Sequence, residues 1–302
     1  MNNKIKYHDN SEEYLNEFFN KKPETDLNKT ISKIINNNPP WPIYYHLSPQ
    51  RRMILEWYPF KKESSLLEIG AGCGALTGLF CEKCKKVTAL ELEADRAEVI
   101  KKRYKDKTNL TVLQQNFNNF DDSVKFDYIT LIGVWEYSGR FFGQSQKKYN
   151  HKLFIEVLKK CRSLLNENGK LIIAIENKLG IKYLSGCLED HYGKGFESIE
   201  DYPDYNGIRT FSKFEIKKML HKSGFVKQPQ IFYPFPDYKL PSQVFSKHFL
   251  EHGNIPITSY LPTPDPSQPR QYLMNEILFG KSLHNAKLFT DFANSFLFVA
   301  KK

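Results

Sequence analysis

The chain has 302 residues, of which 40% are hydrophobic and 14% aromatic, so it can bury a sizeable core and is not a disordered chain. Its formal net charge of +10 indicates either a solvated basic surface or an anionic partner such as nucleic acid, a phosphorylated lipid carrier or membrane headgroups. The start of the chain lacks an apolar signal region, and no run approaches the ~20 apolar residues of a membrane-spanning helix. We therefore expect a cytoplasmic protein without a transmembrane segment.

The first forty residues are polar and rich in Asn and Lys. Helical patterns occur around Glu12–Phe19 and Leu27–Ile35, and prolines at 39, 40 and 42 then interrupt regular structure. A further helix is expected after Ser48, which is a good N-cap, with Pro49 at its first position. We predict an N-terminal helical or lid segment over residues 1–60.

From residue 61 onward, short apolar runs alternate with amphipathic helical stretches. This alternation predicts crossover connections and one doubly wound, mostly parallel sheet with helices on both faces, which is a Rossmann-like α/β fold. Longer segments follow the fifth and sixth strands, and we expect insertions at about 177–210 and 236–287. The seven predicted strands are Ser65–Gly70, Lys86–Leu92, Leu110–Asn116, Phe126–Val134, Lys170–Asn177, Gln230–Phe235 and Ser295–Lys302, the last at or near a sheet edge. The four predicted helices between or after them are Gly74–Cys84, Ala94–Tyr104, His151–Gly169 and Ser212–Phe225.

Five cysteines, an odd number, lie mostly in apolar surroundings, which suits a reducing compartment. Cys81 and Cys84 have the spacing of metal ligands, but no second such pair and no nearby pair of histidines completes four ligands. We predict no metal site.

The most informative stretch is Leu66–Gly78, LLEIGAGCGALTG. Gly70, Gly72 and Gly74 come directly after an apolar strand and directly before a helix, where glycines allow a tight turn and a close approach of a ligand to the backbone. Glu91 ends the next strand, where its carboxylate can accept both hydroxyls of a ribose. The pattern indicates a nucleoside-bearing cofactor, and it also satisfies the dinucleotide fingerprint of nicotinamide enzymes.

The Gly-x-Gly-x-Gly spacing, an acid two residues before it and a helix-free C-terminal strand resemble motif I and the fold of the class I methyltransferases. The resemblance implies that S-adenosylmethionine is the cofactor. It implies that the methionyl end meets Glu68, Gly70, Ala71, Gly72 and Gly74, and that Glu91 holds the ribose. Asn116 stands where this family often has an Asp for the adenine amino group, and Phe117 beside it can pack on the adenine. The segment from Gly133 to Tyr137 lines the methyl end.

Asn38-Pro39-Pro40-Trp41 resembles the Asn/Asp-Pro-Pro-aromatic signature of amino-methylating nucleic-acid methyltransferases. In those enzymes the motif follows a strand, whereas here it follows isoleucines with helical spacing. Too few residues separate it from the glycine loop to supply the missing elements, and the fourth strand already exists downstream. We interpret the tetrapeptide as a turn, with Tyr44, Tyr45 and His46 as candidates for a lid over the cofactor.

Two stretches, LEIGAGCGALT and VTALELEADRAEVIKKR, resemble the ribosomal RNA adenine dimethylases, and the positive charge suits RNA. That family needs an Asn-x-Pro-aromatic loop after strand four to hold the amino nitrogen. Here the corresponding segment is Gly133-Val134-Trp135-Glu136-Tyr137. An RNA methyltransferase therefore stays an alternative.

Acceptor-binding groups are expected on loops at the carboxyl ends of the strands. After strand five, Glu189-Asp190-His191-Tyr192 is dense in proton acceptors, and His191 is the natural general base, assisted by Asp190 or Glu136. The alternative is a hydrogen-bonded loop in which His191 is satisfied structurally. Tyr137, Tyr192 and Arg209 are candidate substrate contacts, although Arg209 can equally pair with a local acid such as Asp201.

From about Trp41 to the C-terminus, phrases such as YHLSPQR and RTFSKFE also look like bacterial methyltransferases associated with surface-polysaccharide and glycosyltransferase systems. This resemblance implies O-methylation of a sugar hydroxyl in a glycan or its precursor, with a glycosyltransferase or assembly protein as a partner. The alternatives left open are an RNA methyltransferase, a non-catalytic cofactor-binding module of a glycan-assembly complex, and a nicotinamide oxidoreductase.

Overall fold

The computed structural model describes residues 11–21, 27–141, 149–252, 263 and 270–302. Parts of the predicted N-terminal segment and of the predicted insertion at 236–287 lie outside these residues. The chain forms two compact units, the first unit from Met1–Phe120 and the second unit from Asp121–Lys302.

The first unit contains a parallel sheet with the strand order β3-β2-β1. Leu66 and Leu67 of β1 and Val87 and Ala89 of β2 are completely buried, which explains why these strands read as apolar runs. The strands are β1 (Ser65–Ile69), β2 (Lys86–Glu91) and β3 (Leu110–Gln114), and the helices are α1 (Ser11–Asn20), α2 (Leu27–Asn36), α3 (Trp41–Leu47), α4 (Thr77–Lys83) and α5 (Ala94–Arg103).

The N-terminal helices of the first unit pack on its glycine loop, Gly70–Gly74. Leu15 of α1, Ile31 of α2 and Leu47 of α3 share one apolar cluster with Cys73 of the glycine loop and Val99 of α5. The helices predicted around Glu12–Phe19 and Leu27–Ile35 are therefore confirmed. The segment after Ser48 was predicted as an α-helix, but it is a 3₁₀ helix over Pro49–Ile54, and the Ser48 side chain makes no capping hydrogen bond.

The second unit contains strands in the order β4-β5-β8-β6-β7. β4 pairs with β5 in parallel, and the other pairs are antiparallel. The strands are β4 (Phe126–Ile132), β5 (Leu165–Glu176), β6 (Gln230–Phe235), β7 (Gln243–Ser246) and β8 (Ser295–Lys301). The helices are α6 (Ser138–Phe141), α7 (His151–Leu164), α8 (Ile181–Leu184), α9 (Lys213–Lys222), α10 (Lys247–His252), α11 (Glu276–Asn285) and α12 (Phe289–Phe292).

The Rossmann-like α/β fold predicted from the sequence is confirmed, with differences in the second unit. The described residues form eight strands rather than seven, because Gln243–Ser246 pairs with β6 inside the predicted second insertion. The C-terminal strand β8 lies between β5 and β6 rather than near an edge, and Phe296, Leu297 and Phe298 are completely buried there. α7 ends at Leu164, earlier than predicted, because β5 begins at Leu165.

Helix α9 follows its sequence signals closely. Ser212 accepts a hydrogen bond from the backbone N–H of Glu215, and the Glu215 side chain accepts from the Ser212 backbone N–H at 2.8 Å. This capping box satisfies two backbone donors that the first turn leaves without intrahelical partners. The predicted N-cap at Ser212 is confirmed.

Candidate functional site

The glycine loop of the first unit joins β1 to α4 through a tight turn. Gly70, Gly72 and Gly74 have φ angles of 67°, 56° and 77°, a region that L side chains disfavour. The backbone N–H groups of Gly70 and Ala71 donate to the carbonyl of Leu90 at 2.8 and 3.1 Å, which fixes the loop to the end of β2. The loop therefore presents backbone rather than side chains, as a phosphate- or nucleoside-binding turn requires.

Glu91 meets this loop from the next strand. Its Oε2 accepts from the Gly72 backbone N–H at 2.7 Å, and its Oε1 accepts from the N–H groups of Leu92 and Glu93 at 2.9 and 3.0 Å. Burial raises the pKa of the Glu91 carboxyl, and these hydrogen bonds and Arg96 oppose that rise. The predicted ribose acid and the predicted glycine loop are thus in direct contact.

Glu68, the acid predicted to meet the methionyl ammonium, is buried near the end of β1. The Thr77 hydroxyl donates to its Oε2 at 2.6 Å. Burial raises the Glu68 pKa, the Thr77 hydrogen bond opposes that rise, and the charge of Glu91 adds to it. The resulting pKa is about 8. A bound cation beside Glu68 would favour its ionised form.

The predicted adenine contacts follow β3. Gln114 at the end of β3 pairs with Glu91, so Asn116 lies beyond the same edge of the parallel strands. The Asn116 side-chain oxygen accepts from the Asn118 backbone N–H at 2.8 Å and caps a 3₁₀ helix at Phe117–Asn119. Phe117 is buried in that helix. Asn116 therefore has a local structural partner, and its carbonyl oxygen keeps one further acceptor position.

The Asn38-Pro39-Pro40-Trp41 tetrapeptide is a turn between two helices, as predicted. It follows α2, Asn38 has a φ of 48°, and Trp41 is the first residue of α3. A Cβ placed on Gly72 would lie 3.6 Å from Cε1 of His46, so the predicted lid residue His46 stands beside the glycine loop.

The segment after β4, Gly133–Tyr137, packs against β5 and α7 of the second unit. The Gly133 N–H donates to the carbonyl of Ala174 at 2.9 Å. Trp135 is completely buried, and its indole N–H donates to the carbonyl of Phe154 at 3.1 Å.

Two of the predicted catalytic residues lie together in the second unit. Glu136 after β4, Glu176 at the end of β5 and His191 after α8 each offer one possible ligand atom, and these atoms lie within 4.8 Å of one another. We call these three residues the acid–histidine cluster. Glu136 and Glu176 are 1% and 0% exposed. Burial, followed by the charge of Glu176, raises the Glu136 pKa to about 8.

Glu189 fixes the ring of His191. Its Oε1 lies 2.9 Å from His191 Nδ1, and its Oε2 accepts from the backbone N–H groups of His191 and Tyr192 at 2.7 and 2.9 Å. Burial opposes a charge on His191, but the hydrogen bond to Glu189 and the charges of Glu176 and Glu136 raise its pKa to about 9. At neutral pH the ring is therefore protonated unless a ligand displaces the proton.

Asp190, predicted to assist the base, lies in an ion network. Its carboxylate pairs with Lys182 at 2.8 Å and with Lys239 at 2.6 Å, and it accepts a short hydrogen bond from Tyr183. Lys182 also pairs with Asp237 at 2.8 Å. Burial raises the Asp190 pKa, but the two lysines outweigh it and hold the pKa well below its usual range.

The three predicted substrate contacts have different surroundings. The Tyr137 ring packs edge-on against His191, with centroids 5.2 Å apart. The Tyr192 hydroxyl donates to the carbonyl of Ile208 at 2.8 Å and accepts from the Asn206 N–H at 3.0 Å. Arg209 is buried and pairs with Asp201, the local acid that the sequence offered as its alternative partner.

Sequence reasoning missed three charged residues of this candidate site: Glu176, Lys182 and Lys239. It named Glu189 among the proton acceptors after strand five, but not as the partner of His191. One signal was available for Glu176, because it ends a buried apolar strand just as Glu91 does. Lys182 and Lys239 lie on segments whose folding the sequence did not predict.

Within the part of the chain that the structure describes, no helix is both long and apolar enough to cross a membrane.

Residues 45–153 match the family model described as ribosomal RNA adenine dimethylase. A ribosomal RNA small subunit methyltransferase A from Syntrophus aciditrophicus is 32% identical over 82 residues, covering 27% of each chain. The protein of the same name from Clostridium acetobutylicum is 26% identical over 181 residues, covering 59% of this chain and 57% of its own. A solved S-adenosylmethionine-dependent methyltransferase from Archaeoglobus fulgidus covers 84% of this chain and 92% of its own at 14% identity, with a TM-score of 0.47.

The chain thus spans 27% and 57% of the lengths of these two curated relatives. The match to the family model includes the glycine loop and Glu91. It also includes Gly133–Tyr137, a segment that contains no Asn-x-Pro-aromatic element.

Proposed function

We propose that this chain is a class I S-adenosylmethionine-dependent methyltransferase that transfers a methyl group from S-adenosylmethionine to RNA. The observation that carries the cofactor part is the contact between the Glu91 carboxylate and the Gly72 N–H at 2.7 Å. It joins an acid suited to ribose hydroxyls to a backbone turn suited to the methionyl end.

In this proposal Glu68 and Gly70–Gly74 hold the methionyl end, Glu91 the ribose, and Asn116 with Phe117 the adenine. Ala71 supplies backbone beside the methionyl end. Glu68 is protonated at neutral pH in the free protein, because its pKa is about 8. Binding of the methionyl ammonium favours the carboxylate and so couples cofactor binding to release of a proton.

The acceptor proposal rests on the relatives and on charge. The curated relatives are named for small-subunit ribosomal RNA, and the net charge of +10 favours a polyanion. The comparisons give no support to the sugar acceptor or the glycan-assembly partner expected from the sequence, and they favour the RNA alternative. Because the segment Gly133–Tyr137 contains no Asn-x-Pro-aromatic element, we do not assign the adenine amino group as the methylated position.

On the acceptor side we propose Glu136, His191 and Tyr137 as the residues that face the substrate. Asp190 is a positioning residue in this proposal, since both of its lysine partners hold it in place. Tyr192 and Arg209 support the loop that carries His191 through their hydrogen bonds to Ile208 and Asp201.

The test of the cofactor site uses titration calorimetry with S-adenosylmethionine and its demethylated product. Glu91→Ala should lower affinity by about 100-fold or more, because one carboxylate otherwise accepts both ribose hydroxyls through charge-assisted hydrogen bonds worth roughly 1.5–3 kcal/mol each. The matched control is Glu98→Ala, which removes an exposed acid of α5 and should leave the affinity unchanged. Equal affinity of the Glu91 variant and wild type would remove Glu91 from the site.

The test of the acceptor uses S-adenosylmethionine with a radioactive methyl group and unmodified small-subunit ribosomal RNA transcribed in vitro. We expect label in the RNA, and RNA affinity that falls steeply as salt rises. Label that enters only a cellular glycan fraction would overturn the RNA acceptor and leave the cofactor assignment standing.

A further inference from the structure

We propose that the acid–histidine cluster, Glu136, Glu176 and His191, binds a divalent metal ion. The inference goes beyond the proposed function, because it concerns a second bound group rather than S-adenosylmethionine or the acceptor. It also departs from the sequence prediction of no metal site, which considered only cysteine and histidine spacing.

The first support is the geometry of the three side chains. Two carboxylate oxygens and one imidazole nitrogen lie within 4.8 Å of one another. Ligand atoms ~2.0–2.2 Å from a first-row metal lie about 3–4 Å apart, so small side-chain rotations bring this set around one ion. The three residues come from separate segments that β4, β5 and α8 place together.

The second support is the state of the buried oxygens. Both side-chain oxygens of Glu136 and Oε2 of Glu176 are buried, and among the described residues none of these atoms has a hydrogen-bond partner on another side chain or backbone group. A buried carboxylate without a partner is costly, and native proteins almost always supply one. A cation between the two carboxylates provides a partner for both oxygens of Glu136 and for Oε2 of Glu176.

The third support is the orientation of His191. Its Nδ1 lies 2.9 Å from Glu189, which leaves Nε2 with its lone pair when the ring is neutral. A carboxylate that holds the distal nitrogen of a ligating histidine is the usual outer partner in metal sites, because it fixes the tautomer and the ring direction. Glu189 is 1% exposed, so the pair is shielded from water.

The charges around the cluster leave room for a divalent cation. With His191 neutral, as a ligating imidazole must be, two lysines face five carboxyl groups in this region: Glu136, Glu176, Glu189, Asp190 and Asp237. Lys182 pairs with both aspartates, and Lys239 pairs with Asp190 and with Oε1 of Glu176 at 2.5 Å. The lysines therefore neutralise the outer acids and leave Glu136 and the inner oxygen of Glu176 uncompensated.

The donor set narrows the metal class. Two carboxylates and one imidazole suit borderline divalent ions such as Mn²⁺, Fe²⁺ or Zn²⁺, while the absence of thiolates from the three-residue set argues against Cu(I). Three protein ligands leave coordination positions for water or for an acceptor oxygen.

The experiment uses the full chain, stripped with a chelator and dialysed, and titrated calorimetrically with Mn²⁺ and separately with Zn²⁺. We expect one equivalent of at least one of these ions to bind. Glu136→Gln keeps the size of the side chain but removes its charge, and it should weaken binding by about 10–100-fold or more. The matched control is Glu156→Gln, a 63%-exposed acid of α7, which should bind as the wild type does.

Pulsed electron paramagnetic resonance of the Mn²⁺ complex gives a second readout. Nitrogen coupling to the ion should be present in the wild type and absent in His191→Gln. If neither ion binds the wild type, if Glu136→Gln binds as tightly as the control, or if the nitrogen coupling survives in His191→Gln, the proposal is wrong. None of these readouts depends on methyl transfer, so failure of the metal site and failure of the proposed function are separate results.

Discussion

The two units differ in the chemical groups that form their polar sites, which are mainly backbone groups in the first unit and side chains in the second. In the first unit the proposed cofactor site centres on one contiguous stretch, Gly70–Gly74, and on one acid at the end of the neighbouring strand, Glu91. Its donors are backbone N–H groups whose directions follow from the turn. In the second unit the acid–histidine cluster joins residues 136, 176 and 191, and every contributing atom belongs to a side chain.

This difference decides what each site depends on. A backbone site is as rigid as its turn, so changes of glycine conformation should damage it most. A side-chain site in a buried region depends on the charges that neutralise and orient its members. Lys182, Lys239 and Glu189 do this in the second unit, and their removal should cost more than any single change in the glycine loop.

The largest effect is expected for Lys182→Met. Lys182 is 5% exposed and bridges Asp190 and Asp237 at 2.8 Å each, so the variant leaves two carboxylates without their shared cation. Breaking a buried ion pair from one side costs about 3–5 kcal/mol, and we expect a loss of that size in the free energy of unfolding measured with urea.

The control is Lys159→Met, in which an exposed lysine paired with Glu156 on α7 is removed. Its effect should stay within about 0.5 kcal/mol, as for other exposed ion pairs. Similar unfolding free energies for the two variants would contradict the view that the second unit depends on its buried charge network.

A pH-dependent effect is expected for Glu68→Gln. Burial raises the pKa of Glu68 from 4.5 to about 8, so between these values the folded carboxyl keeps a proton that the unfolded chain has lost. The folded state then binds more protons, and wild-type stability falls as pH rises through this window, by about 1.4 kcal/mol per pH unit from this group alone. Glutamine stays neutral and can still accept from Thr77.

The measurement is the difference in unfolding free energy between variant and wild type at pH 5 and pH 8, without cofactor. We expect the variant to gain stability relative to the wild type as pH rises. Glu63→Gln, at an acid 75% exposed and close to β1 in sequence, should show almost no change in this difference. A flat difference for Glu68→Gln would mean that the carboxyl is ionised in the folded protein at pH 5.

The sequence predicted most of the fold because its signals are local. Alternating apolar runs and helices gave seven of the eight strands, and Ser212 with Glu215 marked the start of α9. β7 was missed because Gln243–Ser246 is short, lies beyond a proline-rich stretch, and becomes a strand only by pairing with β6. The position of β8 between β5 and β6 is likewise a property of pairing.

The site was predictable to the extent that it is contiguous or ends a strand. Gly70–Gly74 and Glu91 form a pattern in the sequence, and the structure places them in contact. His191 and Glu136 were predicted from their chemistry, but the residues that contact them were not. Glu176 joins them only because β4 and β5 are neighbours, and Glu189 turns its carboxylate back to His191 through a loop that no spacing rule describes.

The smallest expected losses of unfolding free energy are those of two glycine variants, one in each unit. Gly74→Ala places a Cβ at a φ of 77° and 2.9 Å from Cε2 of Tyr104, so it adds a clash to backbone strain. Gly193→Ala, at a φ of 63° with nothing within 4 Å of the new Cβ, adds the strain alone. We expect a loss of unfolding free energy of about 2–3 kcal/mol for Gly74→Ala and of about 1 kcal/mol for Gly193→Ala. Left-handed backbone costs an L residue roughly 1–2 kcal/mol, and overpacking adds at least as much.

The Tyr104 ring is the reason for the difference, because its hydroxyl donates to the Gly74 carbonyl at 2.7 Å and cannot move away without losing that bond. Combining Gly74→Ala with Tyr104→Ala should therefore bring the further cost of the glycine change down to that of Gly193→Ala, and an undiminished cost would place the strain in the turn itself.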